Sequence, residues 1–572
     1  MTGTAKMIER ASSRRCRRLA LAAGLSLFAT SAAQAQDVPP PPSGVAYGVT
    51  GAAEETPPPA EAPRSRRPRV RSEIRPYLEV VQVVSADLDG GDTLTYTSVA
   101  AGVDGRMQTR RVAVQASYRY QRNIEWSGDV GDRDVHSGLA VATVQIVPGV
   151  AQFDAGAVAT RTGGQGRAFG VTDRDASVEV YSAYAGPSVS TQAGPVDVSA
   201  NYRVGYVAVD DDSGAGVEDD HGDAVAHAAN ISAGMAPGRG RLPVGWGVNA
   251  GYQRTDSDGE FDHEFEGSYV RGDVVVPVSP TLAATAGVGY ENIEASQRDM
   301  VRGADGAPVI GPDGEPVADR NAPRVLTYET DGIIYDAGVI WRPTIRTTLQ
   351  ARAGRRYGST TLTGSLSHRF TPRLGMSVEV FDAVSTFSNS FINDLRNLPD
   401  NANFRRDPLT GGLGGCVFGN EPGRGVCLNR SLQSIRGNSF RARGASLVFS
   451  GSGRMWNWGA GANYTHRRYG RPADDGFDLL GGSTDEDFSV YATTGRSLTR
   501  TSDISFGVYA SWFDTDEIGF DRVFSTGANA TYSRSFMLDR LRMLAALGLY
   551  HTDDGEDAST VASGQLGLSY TF

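Results

Sequence analysis

The residues best suited to proton transfer in this 572-residue chain are seven histidines, His136, His221, His227, His263, His368, His466 and His551. They are scattered, with no common spacing to a nucleophile or a carboxylate, whereas hydrolytic chemistry needs a base held beside both. They read as isolated surface residues, and neither an enzyme nor a cofactor is expected. Carboxylates cluster instead: Asp210, Asp211, Asp212, Glu218, Asp219 and Asp220; Asp256, Asp258, Glu260 and Asp262; Asp553, Asp554, Glu556 and Asp557. Such clusters suit hard divalent cations. None has the complete EF-hand order, so they read as solvated loops and no metal site is expected.

Two further groups carry chemistry. Cys416 and Cys427 sit in a stretch of about fifty residues, 388–437, far longer than an ordinary connection. In an exported chain an even pair of this kind reads as a disulfide. The stretch reads as a long external loop, either folding into the lumen as a constriction or staying outside as a binding or shielding loop. Arg119, Arg203, Arg352, Arg356, Arg369 and Arg467, with Glu379 and Asp503 as counter-charges, fall on the polar side of alternating segments. Inside a pore, rings of charge set solute preference; the other reading is that they pair with one another to stabilise a wet interior.

The elements that must position these residues are strands of period two. In the last, Ala562, Gly564, Leu566, Leu568, Tyr570 and Phe572 alternate with Ser563, Gln565, Gly567, Ser569 and Thr571. The stretches 198–206, 244–253 and 456–467 repeat the scheme, their second side small, polar and Gly-rich. Short turns (148–149, 193–195, 237–243, 277–280, 342–344, 371–373, 451–454, 498–501, 537–540) alternate with longer segments (123–136, 162–175, 210–223, 297–325, 388–437, 469–485). That alternation is the pattern of an all-β, up-and-down transmembrane barrel. Counting from Ile74 gives 22 strands, with 18 to 24 the range that a missed or split hairpin allows. Tyr202, Tyr206, Tyr290, Tyr335, Trp341 and Trp512 fall near strand ends and read as interfacial girdles.

Ahead of the barrel, Arg14, Arg15, Arg17 and Arg18 precede an apolar run, Leu19 to Phe28, and Ala33-Gln34-Ala35 offers a cleavage site, so residues 1–35 read as a signal peptide. Cys16 and Arg17 stand where a twin-arginine signal carries a hydrophobic pair, so general secretion is expected. Residues 36–73, with Pro39 to Pro42, Pro57 to Pro59, Pro63 and Pro68 and the basic run Arg64, Arg66, Arg67, Arg69 and Arg71, read as a disordered periplasmic arm. It reads as a tether, or as an arm that docks a periplasmic partner or the barrel mouth. Removing Lys6 and five arginines against Glu9 shifts the formal charge from -11 to -16, which disfavours nucleic acid. No later segment approaches eighteen unbroken apolar residues, so an exported chain spanning a membrane must close into a barrel.

The ending GLSYTF, with Leu566, Leu568, Tyr570 and Phe572 two apart, resembles the C-terminal assembly signal of outer-membrane proteins. That resemblance implies insertion by the barrel assembly machinery into the bacterial outer membrane, among lipopolysaccharide. More narrowly, residues 77–105 (YLEVVQVVSADLDGGDTLTYTSVAAGVDG), 117–140 (SYRYQRNIEWSGDVGDRDVHSGLA) and the cysteine-bearing loop look like a group of uncharacterised proteobacterial barrels linked with exopolysaccharide and protein-sorting loci. Similar chains sometimes carry a preprotein-translocase subunit label, yet such a subunit is small with one membrane helix, and nothing here corresponds. In strand number the chain is similar to TonB-dependent transporters. Those fill the barrel with an N-terminal plug domain, for which a short Pro-rich arm leaves no room. The expectation is a passive or gated channel for a hydrophilic solute or a polysaccharide, closed by the disulfide loop or the arm. Its rival is a structural barrel that scaffolds an envelope complex.

Overall fold

The computed structural model describes residues 71–572 apart from 128–132, 164–177, 212–220, 305–306, 308, 312–316, 399–408, 410–415, 420, 471–481, 517–521 and 556–557. The expected signal peptide, the arm up to residue 70 and parts of the acidic clusters lie outside the described residues.

Among the described residues twenty-four strands run in chain order: β1 (Arg71–Asp87), β2 (Thr93–Gln108), β3 (Val112–Ser127), β4 (Arg133–Val147), β5 (Ala151–Thr162), β6 (Val178–Ala193), β7 (Val196–Asp211), β8 (Asp223–Met235), β9 (Gly245–Ser257), β10 (Glu264–Ser279), β11 (Leu282–Gln297), β12 (Val325–Thr344). There follow β13 (Thr347–Arg356), β14 (Ser359–Thr371), β15 (Leu374–Ser385), β16 (Cys416–Phe418), β17 (Gly425–Cys427), β18 (Phe440–Ser452), β19 (Trp456–Tyr469), β20 (Thr484–Ser497), β21 (Ser502–Thr515), β22 (Val523–Phe536), β23 (Leu541–Asp553) and β24 (Ala558–Thr571). Two helices, α1 (Phe387–Arg396) and α2 (Asn429–Leu432), flank the small β16–β17 hairpin. The other 22 strands form one antiparallel sheet. It closes where β1 meets β24, from Tyr77 opposite Thr571 to Asp87 opposite Val561, so the sheet has no free edges along that seam. The strand number is the one read from the alternation, but β1 starts at Arg71, not Ile74. Both β3 and β4 run further into the expected loop 123–136.

Period two fixes which side each residue takes. On β1, Leu78, Val80 and Val84 face outward and are exposed, while Val81, Val83 and Ser85 face inward and are buried. On β19, Trp456 and Tyr464 are exposed outside, whereas Asn463, Thr465 and Arg467 are buried inside. The outer apolar stretch hugs one end of the barrel. On β10 it covers Val278, Val276, Val274 and Val270 and stops at Glu266; on β12 it covers Trp341, Val339, Tyr335 and Ile333 and stops at Asp331. Nine residues of a strand tilted ~40° rise about 23 Å, which matches the apolar band of a membrane barrel.

That apolar end is also the end of the ten short turns and of both barrel termini. The turns hold nine arginines (Arg110, Arg111, Arg239, Arg241, Arg346, Arg373, Arg454, Arg500 and Arg540) against a single acid, Asp539. Among the expected girdle residues, Tyr202, Tyr290, Tyr335, Trp341 and Trp512 are exposed on the outside. Tyr206 lies outside as well but is half-buried, donating to Asp223 Oδ2 at 2.6 Å.

Candidate functional site

The barrel does not enclose an empty lumen. Between β15 and β18, which pair directly, the chain from Thr386 to Ser439 leaves the long-loop end and turns inward. The long loop expected at 388–437, either as a constriction folded into the lumen or as an external loop, has its described parts inside. Its apolar residues explain the inward course: Phe387, Phe391, Ile392 and Leu395 recur at helical spacing, and burial inside the barrel is where that face is covered. Thr386 caps α1, its hydroxyl accepting from the Asn389 amide at 3.3 Å. The helix lies against the inner wall of β5 to β8, in one cluster with Leu139, Val158, Val180, Val207 and Val209. Gly205 leaves the room for Ile392 on that wall.

Further along, Leu409 packs on a second sector of the wall with Val81, Val83, Leu94, Tyr96 and Tyr550 of β1, β2 and β23. Two sectors of the inner wall about six strands apart are thus engaged. The β16–β17 hairpin, closed by the Cys416–Cys427 disulfide, sits on the inner faces of β15, β18 and β19. Its seat is made of glycines. A Cβ at Gly459 would meet the Phe418 ring at 2.6 Å, one at Gly461 would meet Cys416 Sγ at 2.6 Å, and one at Gly375 would meet Pro422 O at 2.7 Å. Gly423 N donates to Ser450 Oγ at 2.8 Å. Gly375 and Ser450 lie near the short-turn ends of their strands, ten residues below Phe440 in the case of Ser450, a drop of about 33 Å measured along the strand. The inserted segment thus runs most of the depth of the barrel.

Polar contacts pin its two limbs. On the descending limb, His221 Nε2 lies 3.1 Å from Ser388 Oγ, with the His221 ring edge-on to Phe387, and Asn389 Nδ2 donates to Thr255 Oγ1 at 2.7 Å. Ser431 Oγ donates to Asp394 Oδ2 at 2.5 Å and ties the limbs together. On the returning limb, Ser434 Oγ donates to Asp485 Oδ2 at 2.6 Å and lies 2.5 Å from Tyr469 OH. Arg436 stands 3.5 Å from Asp485 and stacks over the Tyr469 ring at 4.9 Å. Arg396, at the end of α1, is lowered from its ordinary guanidinium value by burial, against the opposing pull of Tyr184 and Asp154.

The charged residues singled out in the sequence occupy the inner rows, mostly as members of networks. Arg352 donates to Asp273 Oδ1 at 2.7 Å and to Asp336 Oδ1 at 3.0 Å, and Arg271, which the sequence reading missed, donates to the same two carboxylates. Arg356 donates to Glu291 at 2.5 Å with Tyr357 packed 4.6 Å from its guanidinium. Burial raises the Tyr357 phenol above its usual value. Arg119 donates to Glu79 at 2.6 Å and Arg467 to Asp487 at 2.6 Å. Arg203 is buried beneath α1. Glu379 stands opposite Ser446 on the wall between β15 and β18. Arg369 and Asp503 lie exposed near the short-turn end, Arg369 directly opposite Gly375, against which Pro422 of the hairpin rests. Asp382 with Arg441 and Arg443, and Asp485 with Arg436, were also missed. Asp485 and Asp487 could have been found from the alternation of β20.

The clusters read as solvated loops are in part internally paired. Asp262 meets Arg298 and Arg324, Glu260 accepts from the Ala318 amide, and Asp258 accepts from the Asp223 amide. Among the described residues no group of three or more His, Cys, Asp or Glu is arranged to hold a metal ion. The histidines are dispersed: His136 and His227 pair with Tyr118 and Tyr202 outside the barrel, and His221 serves the inserted segment.

No protein-family model matches the chain, and no curated protein matches it. Among solved structures it is similar to the siderophore receptor PiuA from Acinetobacter baumannii, at 12% identity and a TM-score of 0.42, covering 87% of this chain and 82% of that one. It is similar to the FrpB iron transporter from Neisseria meningitidis at 11% identity and a TM-score of 0.41, over 87% and 82% of the two chains. For the ferric-catecholate import receptor Fiu from Escherichia coli K12 the values are 9% and 0.42, over 86% and 81%.

Proposed function

We propose that this chain is a gated channel of the bacterial outer membrane, its lumen closed at rest by its own segment 386–439. The observation that carries the proposal is the lodging of that segment on widely separated sectors of the inner wall, with α1 on β5 to β8, Leu409 on β1, β2 and β23, and the hairpin on β15, β18 and β19, nearly across the barrel from α1. The apolar outer band supports a membrane setting. Short turns and both barrel termini at one end support a periplasmic orientation for that end.

The strength of the seat defines the kind of gate. Phe387, Phe391 and Leu395 are wholly or almost wholly buried. At about 1.5–3 kcal/mol for each such side chain, they hold the segment by roughly 5–9 kcal/mol before any polar contact is counted. Thermal release would then occupy less than about one part in a thousand of the population. Opening therefore needs an engaging partner or a driven change, and the hairpin tip, with Glu421 and Arg424 exposed, is the part of the gate nearest the periplasmic mouth. The expected arm, 36–73, is one candidate to reach it.

Once the segment is displaced, Arg119, Arg203, Arg352, Arg356, Arg369 and Arg467, with Glu379 and Asp503, would line a wet, mixed-charge path suited to a hydrophilic solute or a polysaccharide. Export through a cleaved signal peptide, insertion by the barrel assembly machinery and contact with lipopolysaccharide belong to the same reading. The buried apolar seat of α1 also suits the rival reading, a scaffold barrel that never opens. Planar-bilayer recordings of the refolded chain with and without the inserted segment test the two: a gate predicts that excision creates a conducting pore.

A further inference from the structure

The short-turn end carries a repeated pairing that the gate does not use. In several turns a large apolar residue projects into the surroundings beside an exposed arginine: Leu242 beside Arg241, Ile345 beside Arg346, and Met455 beside Arg454. Ile345 is 103% and Leu538 100% exposed, as free of protein contact as a side chain can be. The Leu538 turn is held there against backbone preference, since Met537, Leu538 and Asp539 all take left-handed φ values of 51°, 57° and 69°. Three successive left-handed non-glycine residues are costly and persist where their placement serves a role. Just above the turns, on the outward face, Arg496 lies over the Trp456 ring at 4.8 Å and Arg534 over the Phe536 ring at 5.2 Å.

Exposed apolar tips beside exposed arginines do not suit water. They suit an interface with acyl chains on one side and phosphates on the other. The apolar band reaches the turns themselves, as Val278 at the end of β10 and Trp341 near the end of β12 show, so the collar stands at headgroup level and not out in the periplasm. Guanidinium groups pair bidentately with phosphate oxygens, and stacked arginines are held ready to do so.

We propose that this collar is a binding surface for the phosphodiester headgroups of anionic phospholipids in the inner leaflet, with the apolar tips inserted among the first acyl carbons. The inference rests on the membrane setting proposed above but not on the gate, and its readout is separate from conductance.

The test is native mass spectrometry of the delipidated full chain in detergent, titrated with dioleoylphosphatidylglycerol or dioleoylphosphatidylcholine. Phosphatidylglycerol should be retained several-fold more than phosphatidylcholine, and the preference should shrink as salt rises. The combined variant Arg346→Gln, Arg454→Gln, Arg496→Gln and Arg500→Gln should bind the two lipids alike, while lysine at the same four positions should keep most of the preference and shows that loss of charge, not misfolding, is responsible. Equal binding of the two lipids by the native chain, or an undiminished preference in the glutamine variant, would overturn the proposal. So would a collar that retains an acidic periplasmic protein in place of lipid.

Discussion

Gly461 of β19 lies directly under the Cys416–Cys427 bridge, so close that a single Cβ there would stand 2.6 Å from one sulfur and 3.1 Å from the other. The wall is shaped to the hairpin at that point. Gly461→Val should therefore unseat the hairpin without breaking a strand of the barrel, since β19 keeps its partners on both sides. The expected outcome is a rise in basal conductance with an unchanged heat-modifiable band on unheated gels. Gly272→Ala, where a Cβ has open space, is the control and should change neither.

Phe391 is fully buried at the centre of the α1 seat. Truncating a phenylalanine in such a place costs about 3–5 kcal/mol. Since 1.4 kcal/mol is about a factor of ten, Phe391→Ala should raise the frequency of opening by roughly two to four orders of magnitude. Counting openings per unit time in single-channel records checks this, and a frequency equal to that of the native chain would show that α1 does not hold the gate.

The alternation of the strands made the barrel, its strand number and its inner row of arginines legible from residue types alone. Lipid on one side and water or packed protein on the other impose a period of two that no other fold sustains for so long. What that pattern could not supply was the occupant of the lumen. Gly459 and Gly461 looked like the small, wet side of a pore wall, because a glycine that faces water and one that cradles a disulfide are the same letter. The helix at 387–396 was hidden for a related reason: its apolar face, Phe387, Phe391 and Leu395, is short, and it sits in a stretch that looked like a loop by position. Asp485 was readable by parity as an inward residue, but its partner Arg436 lies on the inserted segment, and pairing between that segment and the wall leaves no trace in local sequence.

That Asp485–Arg436 pair is buried, with side chains 0% and 8% exposed. Removing one partner leaves a buried charge uncompensated, at about 3–5 kcal/mol where burial is complete. Arg436→Gln should accelerate hydrogen exchange at the backbone amides of 431–439 by at least about tenfold. Replacing both residues, as Arg436→Met with Asp485→Leu, should recover most of the protection. Equal exchange in the single variant and the native chain would remove the pair from the anchorage.

Arg271 and Arg352 share Asp273 and Asp336, a balanced group of two cations and two anions on the inner wall. Arg352→Glu together with Arg356→Glu inverts two charges on that wall. With the inserted segment absent, the reversal potential in a salt gradient should move toward cation preference. In the intact chain the same substitutions should leave the record nearly silent, because the path is closed. A reversal potential that does not move would place both residues away from the conducting path.

The most direct measurement compares single-channel conductance of the full chain with that of a variant in which residues 387–439 are replaced by a short Gly-Ser linker joining β15 to β18, each shown to be folded by its heat-modifiable mobility. An occupied lumen that acts as a gate predicts a closed or rarely opening full chain and a large, steady conductance in the variant. Equal conductance in the two, whether both silent or both open, would contradict it.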